Sequence, residues 1–105
     1  MNISSVLSQS AKMLGDKIAI IDSSKKTLTF SQLEALSNSF ANGLKTLGVE
    51  KGDKVLVFLK PSLEFPAMAF ALYKLQAIPI FIDPGMGKQN LLNSIKSIRP
   101  KVLIA

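Results

Sequence analysis

Lys54-Val55-Leu56-Val57-Phe58-Leu59 and Ile78-Pro79-Ile80-Phe81-Ile82 are apolar runs with almost no polar alternation. A strand with one wet face alternates, so an unbroken run of this kind reads as a strand covered on both sides. Between them, Leu63 to Gln76 is rich in Ala, Phe, Leu and Met and too long for a single strand. It reads as a helix, apolar nearly all round and therefore buried. Pro61 and Ser62 break the first strand. Pro66 is tolerable only in the first turn of the helix, and Pro79 lies near the start of its strand, where a missing N–H costs least. Strand, helix, strand in this order predicts a parallel pair joined by a right-handed crossover, and hence an α/β fold.

The rhythm continues in both directions. Downstream, Asp83-Pro84-Gly85-Met86-Gly87 has loop composition. Leu91, Leu92, Ile95 and Ile98 then form a helical stripe closed by Arg99-Pro100. Lys101-Val102-Leu103-Ile104-Ala105 opens another apolar strand. Upstream, Leu33, Leu36, Phe40, Leu44 and Leu47 mark a helix stopped by Gly48. Ser31 with Glu34 fits a capping box at its start, and Thr29 with Gln32 offers the same device two residues earlier. Lys17 to Asp22 and Thr27 to Phe30, joined by the polar turn Ser23-Ser24-Lys25-Lys26, predict a β-hairpin. Ile3, Val6, Leu7, Ala11 and Leu14 lie on one face of an N-terminal helix ending at Gly15. No internal repeat or low-complexity tract interrupts the series.

The last strand constrains the domain. An apolar strand wants cover on both sides, and no residue after Ala105 is at hand to supply it. Either a small sheet ends at its margin, or the chain is one piece of a wider domain. An uncovered sheet further predicts homo-oligomers of the chain on its own.

Composition narrows the chemistry. The 105 residues allow one domain or part of one, and a 48% apolar, 19% charged composition excludes a disordered tail. The chain contains no Cys and no His. Disulfide scaffolds, thiol nucleophiles, Cys-based zinc sites and the Ser-His and Cys-His machineries are therefore excluded. No basic, apolar, small-residue leader opens the chain, and Glu64, Pro66, Lys74, Gln76 and Pro79 interrupt its most apolar window, so no membrane span and a cytoplasmic location are expected.

Each residue that catches the eye has a plainer reading. Gly85-Met86-Gly87-Lys88 follows a strand and precedes a helix, as a phosphate loop does. A Walker A loop, however, needs four residues between its glycines and a hydroxyl after the Lys, whereas here one residue separates the glycines and Gln89 follows. No third Gly completes a dinucleotide fingerprint. The carboxylates Asp16, Asp22, Glu34, Glu50, Asp53, Glu64 and Asp83 show no paired spacing. Glu34 reads as a helix cap. Asp83 follows a strand's carboxyl end, where open sheets bind ligands, yet Asp before Pro is common turn chemistry. The net charge of +6 is carried by twelve Lys and one Arg along the whole chain. The loose excess at Lys88, Lys96, Arg99 and Lys101 reads as a solvated face, and no nucleic-acid partner is expected. No catalytic, cofactor-binding or metal-ligating residue is assigned.

In order along the chain stand Lys17-Ile18-Ala19-Ile20, Leu28-Thr29-Phe30-Ser31-Gln32-Leu33, Ala41-Asn42-Gly43-Leu44, Leu47-Gly48-Val49 and Lys51-Gly52-Asp53-Lys54-Val55. Pro61-Ser62-Leu63-Glu64-Phe65, Ala77-Ile78-Pro79-Ile80 and Asp83-Pro84 complete the series. Together they resemble the opening of the adenylate-forming (AMP-binding) superfamily: acyl-CoA ligases, luciferases and non-ribosomal peptide synthetase adenylation domains. Phe81-Ile82-Asp83-Pro84-Gly85-Met86-Gly87 with Asn90-Leu91-Leu92 is similar to the fatty-acyl ligase-like and β-lactone synthetase branch. The resemblance implies that residues 1–105 are a partial N-terminal subdomain of the large domain, with the rest of it and the C-terminal domain as its natural partners. It implies a parent that uses ATP and Mg2+ to convert a carboxylic acid to an acyl-adenylate and passes the acyl group on, for example to a thiol. The family's Ser/Thr/Gly-rich loop, its following Lys and its later nucleotide-binding segments have no counterpart here, so the fragment itself is expected to be inactive and free of cofactor. The competing expectation is a small self-associating α/β interaction module.

Overall fold

In the computed structural model, residues 3–58 and 62–104 are described. Val55, Leu56 and Val57 are wholly shielded from solvent, as a strand read as covered on both faces requires. They belong to β3 (Lys54–Val57), the middle strand of a parallel sheet in the order β4-β3-β5, with β4 spanning Ile78–Phe81 and β5 spanning Val102–Ile104. Leu56 stands opposite Ile80 on one side and Leu103 on the other. Pro79 therefore lies in an edge strand. Ile78 and Ile82 donate to the carbonyls of Asp53 and Val57, so Pro79 falls out of phase with the ladder's donors and breaks no bond. Leu59 and Pro61, read as the end and the breaker of the first strand, and Ala105 lie outside the described residues.

Among the described residues there are four α-helices: α1 (Ile3–Leu14), α2 (Phe30–Thr46), α3 (Glu64–Lys74) and α4 (Lys88–Ile98). Strands β1 (Ile18–Ile21) and β2 (Thr27–Thr29) form the expected antiparallel hairpin, separate from the parallel sheet. Side chains alternate along a strand, so Val55 and Val57 point one way and Leu56 the other. Val55 and Val57 pack with Ala41 and Leu44 of α2 and with Ala71 and Leu72 of α3. The β4-α4-β5 connection runs back past β3, so a right-handed crossover sets α4 on the opposite face of the sheet. A second cluster, Leu7, Leu33 and Ala67, ties α1, α2 and α3 together beneath the hairpin residues Ala19, Ile20 and Leu28.

The helix boundaries correct two expectations. The capping box at α2 is the Thr29–Gln32 pair: Thr29 Oγ1 accepts from the Gln32 amide, and Gln32 Oε1 accepts from the Thr29 amide. Ser31 and Glu34 are already inside the helix. The stripe of α2 is also rotated from the one read off its leucines. Leu33, Ser37, Ala41 and Leu44 are buried, Leu36 and Phe40 are half-buried, and Leu47 is 68% exposed just past the helix end. The reason is α3, whose fully buried Ala67 and Ala71 bring its backbone close. Small residues must face that contact, and Ser37 can do so because its hydroxyl donates to the Glu34 carbonyl at 2.9 Å.

Gly48 ends α2 at φ +93, a conformation that disfavours any side chain, and Pro66 sits in the first turn of α3. On the far face, α4 buries none of its residues completely, and Leu92 and Leu103 are each 41% exposed. That face of the sheet is the incompletely covered one, as the apolar reading of the last strand anticipates.

Candidate functional site

The β3-α3-β4 crossover leaves β3 on one side and the β4-α4-β5 connection returns past it to the other, which creates a switch point between β3 and β5 at the carboxyl edge of the sheet. Open α/β sheets bind ligands at such a crevice. The described residues at this edge are Phe58, Ile82 and Asp83, followed by a short 3-10 turn (Pro84–Met86), Gly87 and the start of α4. Here the phosphate-loop resemblance and Asp83 can both be judged.

Asp83 turns inward on its own loop. Its Oδ1 accepts from the Gly85 amide at 2.8 Å, and its carbonyl accepts from the Met86 amide at 3.1 Å. Asn90 Nδ2 donates to the Met86 carbonyl at 2.8 Å and fastens the turn to the first turn of α4. Two amides of this loop, those of Gly85 and Met86, are thus engaged within it. Gly87, at φ +91, redirects the chain into α4, which begins without a side-chain cap, and Lys88 is exposed. The structure places Gly85, Gly87 and Asp83 together as a self-satisfied turn.

Two other acids are spent in the same way. Asp22 Oδ1 accepts from the Ser24 amide and hydroxyl and from the Lys26 amide, closing the hairpin turn. The Ser24 hydroxyl bond outweighs desolvation and, with the backbone bonds, holds the Asp22 carboxyl below its ordinary value. Asp53 Oδ2 accepts from the Glu50 amide at 2.8 Å. Among the described residues, no group of three or more Asp and Glu side chains gathers to hold a metal ion.

Glu34 is the exception, and sequence reasoning missed its role. Rather than capping α2, its carboxylate pairs with the Lys74 ammonium at the end of α3, with the two side chains only 17% and 15% exposed. Burial acts to raise the Glu34 carboxyl. The Lys74 charge and hydrogen bonds from Ser8 and Asn38 outweigh it, so the group titrates below its ordinary value. No local pattern announces a partner forty positions away. The pair sits between α1, α2 and α3, away from the carboxyl edge, and does structural work. A groove of about 370 Å3 between α1 and the hairpin, lined by Val6, Leu7, Ala19, Phe30 and Phe70, carries no titratable group.

Comparisons with known proteins point in one direction. The family profile described as "AMP-binding enzyme" matches residues 7–105. An olefin beta-lactone synthetase of Stenotrophomonas maltophilia is 37% identical over 78 residues, which cover 74% of this chain and 14% of that protein. An acetyl-coenzyme A synthetase of Thiobacillus denitrificans is 36% identical over 94 residues, covering 86% of this chain and 14% of that protein. Among solved structures, a Mycobacterium tuberculosis fatty acyl CoA synthetase superposes with a TM-score of 0.89 at 28% identity, over 97% of this chain and 20% of that one. The Klebsiella oxytoca NpsA N-terminal subdomain superposes with a TM-score of 0.88 at 19% identity, a likeness of fold. The chain thus spans 14% of the length of these two curated relatives and matches one piece of a larger domain.

Proposed function

This chain belongs to the AMP-binding enzyme family, and from that premise we propose that residues 1–105 are a partial N-terminal subdomain serving as scaffold for an ATP-dependent, carboxylic acid-activating ligase. In the parent reaction, a substrate carboxylate oxygen attacks the α-phosphate of ATP, the bond to pyrophosphate breaks, and an acyl-adenylate results. An acceptor such as a thiol then takes the acyl group, releasing AMP. The likeness to olefin beta-lactone synthetases favours a parent in that branch. A cytoplasmic setting is part of the same proposal.

The observation that carries the scaffold reading is the closed turn at Asp83. Phosphoryl transfer is catalysed by donors and cations aimed at developing charge. In this chain the Gly85 and Met86 amides are already bonded to Asp83, and no carboxylate group gathers for a magnesium ion among the described residues. No residue here is therefore assigned to ATP or Mg2+, and no step of the reaction is assigned to this chain. What the chain supplies is a rigid β3 core and the carboxyl edge against which the rest of the domain builds.

ATP–pyrophosphate exchange tests this reading. The 105-residue chain is expected to give background exchange with any fatty acid, while the same chain extended to the parent's full length exchanges; robust exchange by the short chain overturns it. The incompletely covered sheet, with Ile78, Phe81 and Leu103 between 41 and 47% exposed, also supports self-association of the chain in isolation. Light scattering at high concentration should return dimers or larger species, and a clean monomer would refute that part.

A further inference from the structure

The positive charge is not spread evenly over the fold. In a parallel sheet, the strands begin at the edge where the preceding helices end, so three connections meet there: α2 to β3, α3 to β4 and α4 to β5. These carry Lys45, Lys51, Lys54, Lys96, Arg99 and Lys101, all exposed. Helix-dipole compensation accounts for Lys45 and Lys96, which lie in or near the last turns of their helices. It does not account for Lys51 in a turn or for Lys54 and Lys101 at the starts of strands. Val55 stands opposite Val102, so the residues before them, Lys54 and Lys101, are neighbours on the same face of the sheet. Their backbones touch as well, the Lys101 amide donating to the Lys54 carbonyl at 2.8 Å. Like charges side by side on paired strands destabilise the sheet. The acids nearby are Glu50 and Asp53, and Asp53 is turned onto the Glu50 amide.

Leu47, 68% exposed, projects at the same edge between Lys45 and Lys51. We propose that this strand-start edge is a docking surface for an anionic lipid bilayer, held by Lys51, Lys54, Arg99 and Lys101 with Leu47 entering the headgroup region. The chemistry of the patch selects this partner. Lysine ammoniums are point charges that suit a diffuse anionic plane, whereas phosphate esters in a fixed geometry are gripped by arginine forks, and only Arg99 is available. Among the described residues, the three connections at this edge carry no aromatic side chain for stacking on nucleic-acid bases. An exposed leucine within a basic rim adds the apolar contact that surface-bound proteins use and a soluble polyanion cannot reward.

The test is flotation of the 105-residue chain with vesicles of phosphatidylcholine alone or with phosphatidylserine added, at low and physiological salt. Binding is expected only with phosphatidylserine and should weaken as salt rises. The triple variant Lys51→Gln/Lys54→Gln/Lys101→Gln should bind roughly a hundredfold more weakly, since each lysine near an anionic surface contributes about 1 kcal/mol. The control Lys12→Gln/Lys25→Gln/Lys26→Gln removes equal charge elsewhere and should bind within about threefold of the parent sequence. Leu47→Ser, at an exposed position that leaves the fold intact, should lose about tenfold. Equal loss in the two triple variants, unchanged binding by Leu47→Ser, or tighter binding to duplex DNA than to the anionic vesicles each overturns the proposal.

Discussion

The Glu34 carboxylate and the Lys74 ammonium meet across the seam between α2 and α3, forty positions apart in the chain and largely hidden from water. Ser8 brings α1 to the same carboxylate, so one acid joins three helices. Exposed ion pairs are worth little because water screens them and their side chains must be ordered. A mostly buried pair behaves differently: removing one partner strands the other without solvent.

Glu34→Ala and Lys74→Ala are each expected to destabilise the chain by about 1–3 kcal/mol, the cost of leaving one buried polar group unmatched. The double variant Glu34→Leu/Lys74→Met removes both charges and should recover most of that loss. Urea unfolding midpoints of the three variants measure the coupling, and strict additivity of the two single losses would show that the pair contributes nothing as a pair.

The same contact sets an acid limit on stability. The folded-state value of Glu34 lies below its unfolded value, so the folded chain binds fewer protons in the range between them. The contribution is therefore complete above the ordinary carboxylate value and is lost as pH falls through the lowered, folded-state value. Melting temperatures followed downward from about pH 7 should drop in that acid range, and Glu34→Gln should flatten the drop.

At the start of α2 the cap is assigned to one residue. Thr29→Ala is expected to cost about 1 kcal/mol, because the Gln32 amide loses its acceptor. Ser31→Ala, one residue inside the helix, should stay within about 0.5 kcal/mol. Thermal unfolding of the two variants distinguishes the boundaries directly, and a larger loss at Ser31 would relocate the cap.

Why the sequence permitted some of these statements and not others is a matter of range. β3 is legible because burial on both faces leaves no room for a polar residue between Val55 and Val57. The hairpin and the two glycine stops at Gly15 and Gly48 are legible because turn chemistry is local. The rotation of the α2 stripe is not local. It depends on Ala67 and Ala71 of α3, whose small size becomes a signal only when the two helices are laid together. Two capping boxes fitted the same stretch, and the choice between them turned on where β2 ends. Asp83 is legible as turn chemistry because its partner lies two residues away, whereas the partner of Glu34 lies on another helix and leaves no local signal.

Gly48 offers the sharpest check on how the scaffold is joined. The helix α2 must stop and turn so that Val49, 2% exposed, enters the core beside Val55 while the chain proceeds into β3. The turn is fixed by two backbone bonds, from the Gly48 amide to the Lys45 carbonyl at 3.0 Å and from the Val49 amide to the Leu44 carbonyl at 3.1 Å. That pattern, with φ at +93, is open to glycine and resisted by any residue with a Cβ. There is space around the position, with nothing within 4 Å of an added Cβ, so steric contact with neighbours does not enter. Gly48→Ala should therefore cost about 1 kcal/mol or slightly more through backbone strain alone, and Gly48→Val more still, since a β-branched side chain tolerates positive φ least. Gly43, within α2 and equally open, is the internal control: Gly43→Ala should stabilise by about 0.5–1 kcal/mol. Opposite signs for the two alanine variants in urea unfolding would establish the strained turn; the same sign in both would remove it.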